Sequence, residues 1–135
     1  MIELKEKETQ LDDDLRSCVE WRFKEADIWR FSFADEVIDM LTEISDDYGG
    51  EIDAIDDINK NGAEGYFMQF IYDEDSRDFY SKHAIDIESF IEECEDEYDM
   101  SFTIKRPHYQ GAIYLMLDLV MSKLYFQLEE EECFG

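Results

Sequence analysis

The chain has 135 residues, 44% of them hydrophobic and 15% aromatic, which is enough apolar mass to bury one core and excludes a disordered chain. Its 37 acids against 12 bases leave a net charge of −25, and that charge opposes direct binding to nucleic acid. The three cysteines, Cys18, Cys94 and Cys133, are odd in number and lack CxxC spacing, so neither a disulfide framework nor a zinc site is indicated, and a reducing cytoplasm fits.

The N-terminus, "MIELKEKETQLDDD", lacks the apolar stretch of a secretory signal. Leu11, Leu15, Cys18, Val19 and Ala26 then recur at helical spacing, predicting a first helix over about residues 9–26 with Thr9 as its cap. Ser32 is placed to cap a second helix, whose apolar face is Val37, Ile38, Leu41 and Ile44 and which Gly49 and Gly50 break. A short third helix carries Ile52, Ile55 and Ile58 on one side and ends at Asn61 and Gly62. The apolar run "GYFMQFIY" is too short to separate a buried helix from a strand. From Asp75 to Tyr98 the helical period is clear, with Phe79, His83, Ile87, Phe90, Ile91 and Cys94 on one face.

"MSFTIK" alternates Met100, Phe102 and Ile104 and predicts a short strand. Pro107 opens the last long helix. Its "AIYLMLDLVMSKLYFQL" is interrupted by Asp118 and Lys123 and is shorter than the ~20 residues of a membrane span, so it reads as the central core element. The expected fold class is mainly α, a single compact helical domain of about five helices with a short strand or hairpin, the alternative being α+β. There is no linker and no persuasive internal repeat.

One stretch, "DINKNGAEGYFM" from Asp57 to Met68, begins like a calcium-binding loop. Asp57, Asn59, Asn61 and Gly62 match that pattern, but its twelfth position, normally a bidentate glutamate, is Met68, and Glu64 stands where a small apolar residue belongs. The competing reading is a helix stop, because Asn and Gly tolerate the left-handed conformation of helix ends.

The acidity is clustered. Residues 35–58 carry ten acids and no base, and residues 73–99 carry twelve acids and two bases. The expected partner-binding residues are Asp46, Asp47, Asp53, Asp56 and Asp57 in the first cluster. In the second they are Asp75, Asp78, Asp86, Glu93 and Asp96 along one side of the helix, with Glu88, Glu92 and Glu95 in a row opposite the apolar face. Like charges four residues apart repel by tenths of a kcal/mol per pair, so something other than stability favours them. A compact domain of this length is about 37 Å across, and duplex DNA carries about 22 charges over that distance, comparable to the net charge of the chain. A rigid acidic frame of that kind can occupy the basic channel of a nucleic-acid-binding protein.

The stretch "NGAEGYFMQFIYDEDSRDFYSKHAIDIESFIEE" over residues 61–93 resembles the recurrent segment of a family of small uncharacterised proteins from phages and bacteria, a domain of unknown function. The matching positions are Gly62, Gly65, Phe70, Ile71, Tyr72, Phe79, Tyr80, Lys82, His83 and Ile87. This chain lacks the cysteine associated with the family's glycine turn and is more acidic. The resemblance implies a phage-linked origin and a structural turn at Gly62; no activity comes with it.

Catalytic chemistry is not indicated. His83 falls on an apolar face with no serine or cysteine nucleophile evident beside it, His108 is placed to cap or face solvent, and no phosphate-binding glycine loop is present. Arg16, Arg22, Lys24 and Arg30 stand beside Trp21 and Trp29, but that segment is net negative and its bases are expected to pair with acids of neighbouring helices. The function these readings lead to is a phage-type inhibitor of a bacterial host-defence nuclease, of the anti-CRISPR or anti-restriction kind. It would act in the host cytoplasm by stoichiometric, DNA-mimicking contact with a basic DNA- or RNA-binding protein. The alternative is an immunity protein or antitoxin that blocks a basic toxin nuclease with acids and exposed tyrosines, and a third class is a calcium-dependent or enzymatic protein. No catalytic residue, metal, cofactor or membrane is expected.

Overall fold

The apolar stripes of the sequence find one another around its most apolar segment. The computed structural model describes residues 15–71, 73–99, 101 and 109–130. Among the described residues six helices follow in order: α1 over residues 15–25, α2 Ala34–Tyr48, α3 Glu51–Asn61, the single turn α4 Glu64–Phe67, α5 Asp73–Tyr98 and α6 Tyr109–Glu130. The domain is mainly α, and there is no strand among the described residues. The expected "MSFTIK" strand, Pro107, His108, Thr9 and Cys133 lie outside them. No helix among the described residues is long and apolar enough to cross a membrane.

Helix α6 buries Ile113, Met116, Leu117, Val120, Met121 and Leu124 along one broad face, with Asp118, Phe126 and Glu129 exposed on the other side. It packs against α5 and α3, and α3 packs back on α2. Asp118 interrupts the apolar run of α6 for a structural reason. Its carboxylate accepts the Ala63 N–H at 2.7 Å and ties the turn before α4 to the core helix. Phe31, Phe33 and Phe90 form a ring cluster with centroids 5.2–5.7 Å apart, which fixes the α1–α2 connection onto α5.

The local signals misassign three places and leave a fourth open. Ser32 does not cap α2: the N-cap is Phe33, with no side-chain cap bond, because Ser32 is drawn instead toward α5. Cys18 is exposed, and the inward face of α1 is Val19, Arg22 and Phe23. Ile52 is only half-buried, whereas Ala54, Ile55 and Ile58 are covered. "GYFMQFIY" is neither a strand nor a continuous buried helix but a one-turn helix followed by turns, burying Phe67 and Ile71 and leaving Met68 52% exposed.

Gly62 closes α3 at φ 92° and ψ 147°, a region strained for residues with a Cβ, and its N–H returns to the Ile58 carbonyl at 2.8 Å. Gly50, in the α2–α3 connection, has φ 166°, which any residue adopts. Gly62→Ala should therefore cost about 1–3 kcal/mol in chemical denaturation, whereas Gly50→Ala should stay within about 0.5 kcal/mol of the parent.

Candidate acidic interface and the His83 node

The fold sorts the expected partner-binding acids into two groups. Asp46, Asp47, Asp53, Asp75, Asp78, Glu92 and Asp96 are exposed, and with the half-buried Glu95 they make no ion pair or side-chain hydrogen bond among the described residues. The other five are engaged within the fold. Asp56 pairs with Lys60 at 3.0 Å, Asp57 accepts the Tyr48 hydroxyl at 2.9 Å, Asp86 accepts the Ser32 N–H at 2.6 Å, Glu88 accepts the Tyr80 hydroxyl at 2.9 Å and Glu93 pairs with Arg30 at 2.6 Å.

The solvent pole of α5 is accordingly shifted from the sequence expectation. Helical spacing opposite the buried stripe of Phe79, His83, Ile87, Phe90, Ile91 and Cys94 selects Asp78, Ile85, Glu92 and Asp96, and all four are exposed. Glu88 and Glu95, expected in that outer row, instead flank the buried stripe and are half-buried. Ile85, at 82% exposure, stands alone among acids on this pole. No ion pair or hydrogen bond among the described residues links the acids of 46–57 to those of 75–96. The first group lies on α2 and α3 and the second on α5.

Five of the eight lysines and arginines among the described residues lie where helices meet. Arg22 reaches Glu51 at 3.2 Å with both side chains largely buried, Arg16 reaches Asp39 at 2.9 Å, Arg30 reaches Glu93, Lys82 reaches Glu36 at 2.6 Å and Lys123 pairs with Glu97. The expectation that the bases beside Trp21 and Trp29 pair with neighbouring helices holds for Arg16, Arg22 and Arg30.

His83 is only 4% exposed, but it does have a serine beside it, contrary to the sequence reading. Ser32 Oγ lies 2.8 Å from His83 Nδ1, and Glu36 Oε1 lies 3.1 Å from Nε2. With the Nε2–H tautomer, the imidazole donates to Glu36 and accepts from the Ser32 hydroxyl, the connectivity of an acyl-transfer triad. The surroundings oppose that chemistry. The Ser32 N–H is committed to the Asp86 carboxylate, so it is not available to an oxyanion, and an acidic group stands beside the serine. The node instead pins α5 to the start of α2, and no sequence signal linked residues 51 positions apart. Cys94 offers no alternative nucleophile: burial, with Glu93 and Glu97 nearby, pushes its thiol up to about 11.

The calcium-like residues sit on a helix rather than a loop. Asp57, Asn59 and Asn61 belong to α3. Asp57 takes the Tyr48 hydroxyl, Asn59 faces Ser122 of α6 at 3.4 Å, and Asn61 donates to the Asp57 carbonyl and the Tyr66 hydroxyl, so the three do not converge on one point. Hydrogen bonds to Tyr66 and to the Asp57 carboxylate hold the Tyr48 phenol above its usual range.

The node and the α3 turn each generate a measurable expectation. Partial burial of Glu36 favours its neutral form, but hydrogen bonds from Lys82 and His83 outweigh it and lower its pKa from 4.5. The ionised carboxylate therefore contributes stability that is fully present above about pH 4.5 and lost as pH falls through the lower folded value. Glu36→Gln should melt below the parent at neutral pH, with the gap closing as the pH is taken down from 4.5; His83→Ala should cost about 2–4 kcal/mol. Calcium should raise the melting temperature no more than magnesium at equal ionic strength, as screening of self-repulsion requires, and a saturable effect of calcium alone would restore the metal reading.

Comparison with known proteins gives one assignment. No curated protein and no solved structure matches the chain. A family model described as a domain of unknown function, DUF7222, matches residues 34–130, from the first residue of α2 to the last of α6. The stretch 61–93 lies wholly inside that match. The chain belongs to the DUF7222 family, a domain whose function is unknown.

Proposed function

We propose that this protein is a phage-type inhibitor of a bacterial host-defence nuclease. It binds stoichiometrically to the basic nucleic-acid-binding surface of its target, in the cytoplasm of the host cell, and acts without catalysis. The observation that carries the reading is the distribution of charge. The pairs at helix junctions absorb cations, while Asp78, Glu92 and Asp96 on α5 and Asp46, Asp47 and Asp53 on α2 and α3 face solvent without partners among the described residues. Acids left unpaired on rigid helices repel one another, and a cationic surface is the partner that offsets that repulsion.

The alternative, an immunity protein or antitoxin, drew on exposed tyrosines as well as acids. Among the tyrosines whose side chains are described, Tyr48, Tyr66, Tyr80, Tyr98, Tyr114 and Tyr125 are partly buried against the core, which favours the acids over the tyrosines as the contact surface.

The test combines competition and charge reversal. Protein immobilised at low salt and exposed to lysate of the bacterial host should retain a basic nucleic-acid-binding protein, released by duplex DNA and by raising salt from about 50 to 200 mM. Asp78→Lys, Glu92→Lys and Asp96→Lys together should abolish retention while leaving the melting temperature unchanged or higher, because mutual repulsion is relieved. Glu88→Lys is the wrong reversal, since it breaks the Tyr80 contact and should lower stability by about 1–2 kcal/mol. Retention that persists with DNA already bound to the target would overturn mimicry.

A further inference from the structure

The turn that closes α3 joins Asn61 to Gly62. With no side chain on the second residue, its backbone nitrogen has open access to the side-chain amide of the first. The Gly62 nitrogen gives its proton to hydroxide, its lone pair forms a bond to Asn61 Cγ, and the Cγ–Nδ2 bond breaks, ammonia leaving with a proton from water. Water then opens the cyclic imide at either carbonyl, leaving aspartate or isoaspartate. The reaction consumes one water, releases one ammonia and needs no oxidant or reductant.

The fold obstructs each requirement of that reaction. The Gly62 N–H is donated to the Ile58 carbonyl at 2.8 Å, which holds the proton that must leave. Asn61 Nδ2 donates to the Asp57 carbonyl at 3.0 Å and to the Tyr66 hydroxyl at 3.1 Å, so the amide is fixed from both sides. Asn61 is also the last residue of α3, and a helical ψ keeps its side chain away from the next nitrogen. The following residue, Ala63, is fully buried, and its N–H is held by Asp118 of α6 at 2.7 Å, so the turn cannot swing open without leaving the core helix. Burial does not protect Asn61 itself, which is exposed; these bonds do.

We propose that Asn61–Gly62 is a latent deamidation site, closed in the folded chain and reactive when the α3–α4 turn opens, so that the chain is converted irreversibly as a consequence of its own unfolding. The product refolds less well. A carboxylate at position 61 can no longer donate to the Asp57 carbonyl, stands four residues from the Asp57 carboxylate and adds negative charge at the C-terminal end of α3. The isoaspartyl form also lengthens the backbone where the Gly62 N–H must meet Ile58. The inference holds whatever the chain binds.

The full chain is incubated in mildly alkaline buffer, with and without urea at an unfolding concentration, and residue 61 is followed by peptide mapping that separates aspartate from isoaspartate. Conversion should be at least about tenfold slower in the folded chain, in proportion to the rarity of opening. In urea, Asn59, which precedes Lys60, should lag behind Asn61. Tyr66→Phe removes one acceptor from the Asn61 amide and should speed conversion of the folded chain while leaving the rate in urea unchanged. Asn61→Asp, which reproduces one product, should melt below the parent. Equal rates with and without urea, no conversion in urea, an unchanged folded rate in Tyr66→Phe, or Asn61→Asp melting as high as the parent would each overturn the proposal.

Discussion

A chain with a net charge of −25 must hold its helices together against their own repulsion, and this constraint organises the structure. The bases are few, and five of those among the described residues are placed at junctions: Arg16 and Arg22 join α1 to α2 and α3, Lys82 joins α5 to α2, Arg30 joins the α1–α2 connection to α5, and Lys123 joins α6 to α5. The Arg22–Glu51 pair is the most enclosed of these, and losing one member would leave the other charge uncompensated away from water. Repulsion is tolerated on outward faces, where water and salt screen it, and is cancelled where helices touch.

Hydrophobic burial supplies the attraction that this arrangement protects. The core runs through every helix, with Phe23, Phe33, Phe67 and Phe90 among its largest fully buried side chains. At the α2–α5 junction, apolar and polar contacts are interleaved. Phe31 and Phe33 pack on Phe90, while Ser32 between them turns its N–H to Asp86 and its hydroxyl to His83. A buried imidazole with both nitrogens engaged orients two helices more narrowly than apolar contact alone, because its hydrogen bonds require one rotation and one register.

The same division of charges links stability to the proposed function. Acids that hold the fold, such as Glu36, Glu51, Glu88 and Glu93, are engaged inward or across junctions, whereas Asp78, Glu92 and Asp96 are free to face a partner. The two sets alternate along the same helices, so no segment is wholly structural or wholly available.

The mainly α class, the apolar faces of α2 and α5, the central place of α6, the break at Gly49–Gly50 and the family are all legible along the chain, because each depends on local periodicity, turn chemistry or residue pattern in a contiguous stretch. Which polar groups are already taken is settled only by packing. Ser32 reads as a cap from its neighbours, yet His83 and Asp86, more than fifty residues away, claim its hydroxyl and its N–H. Glu88 reads as part of an outer row until Tyr80 and the half-buried flank of α5 account for it, and Asp118 reads as a blemish in an apolar run until the Ala63 N–H is found against it. The physical reason is one of range: helix formation and amphipathicity are set by residues a few positions apart, whereas the partner of a charged or hydrogen-bonding group is whatever the packed fold brings within about 3 Å.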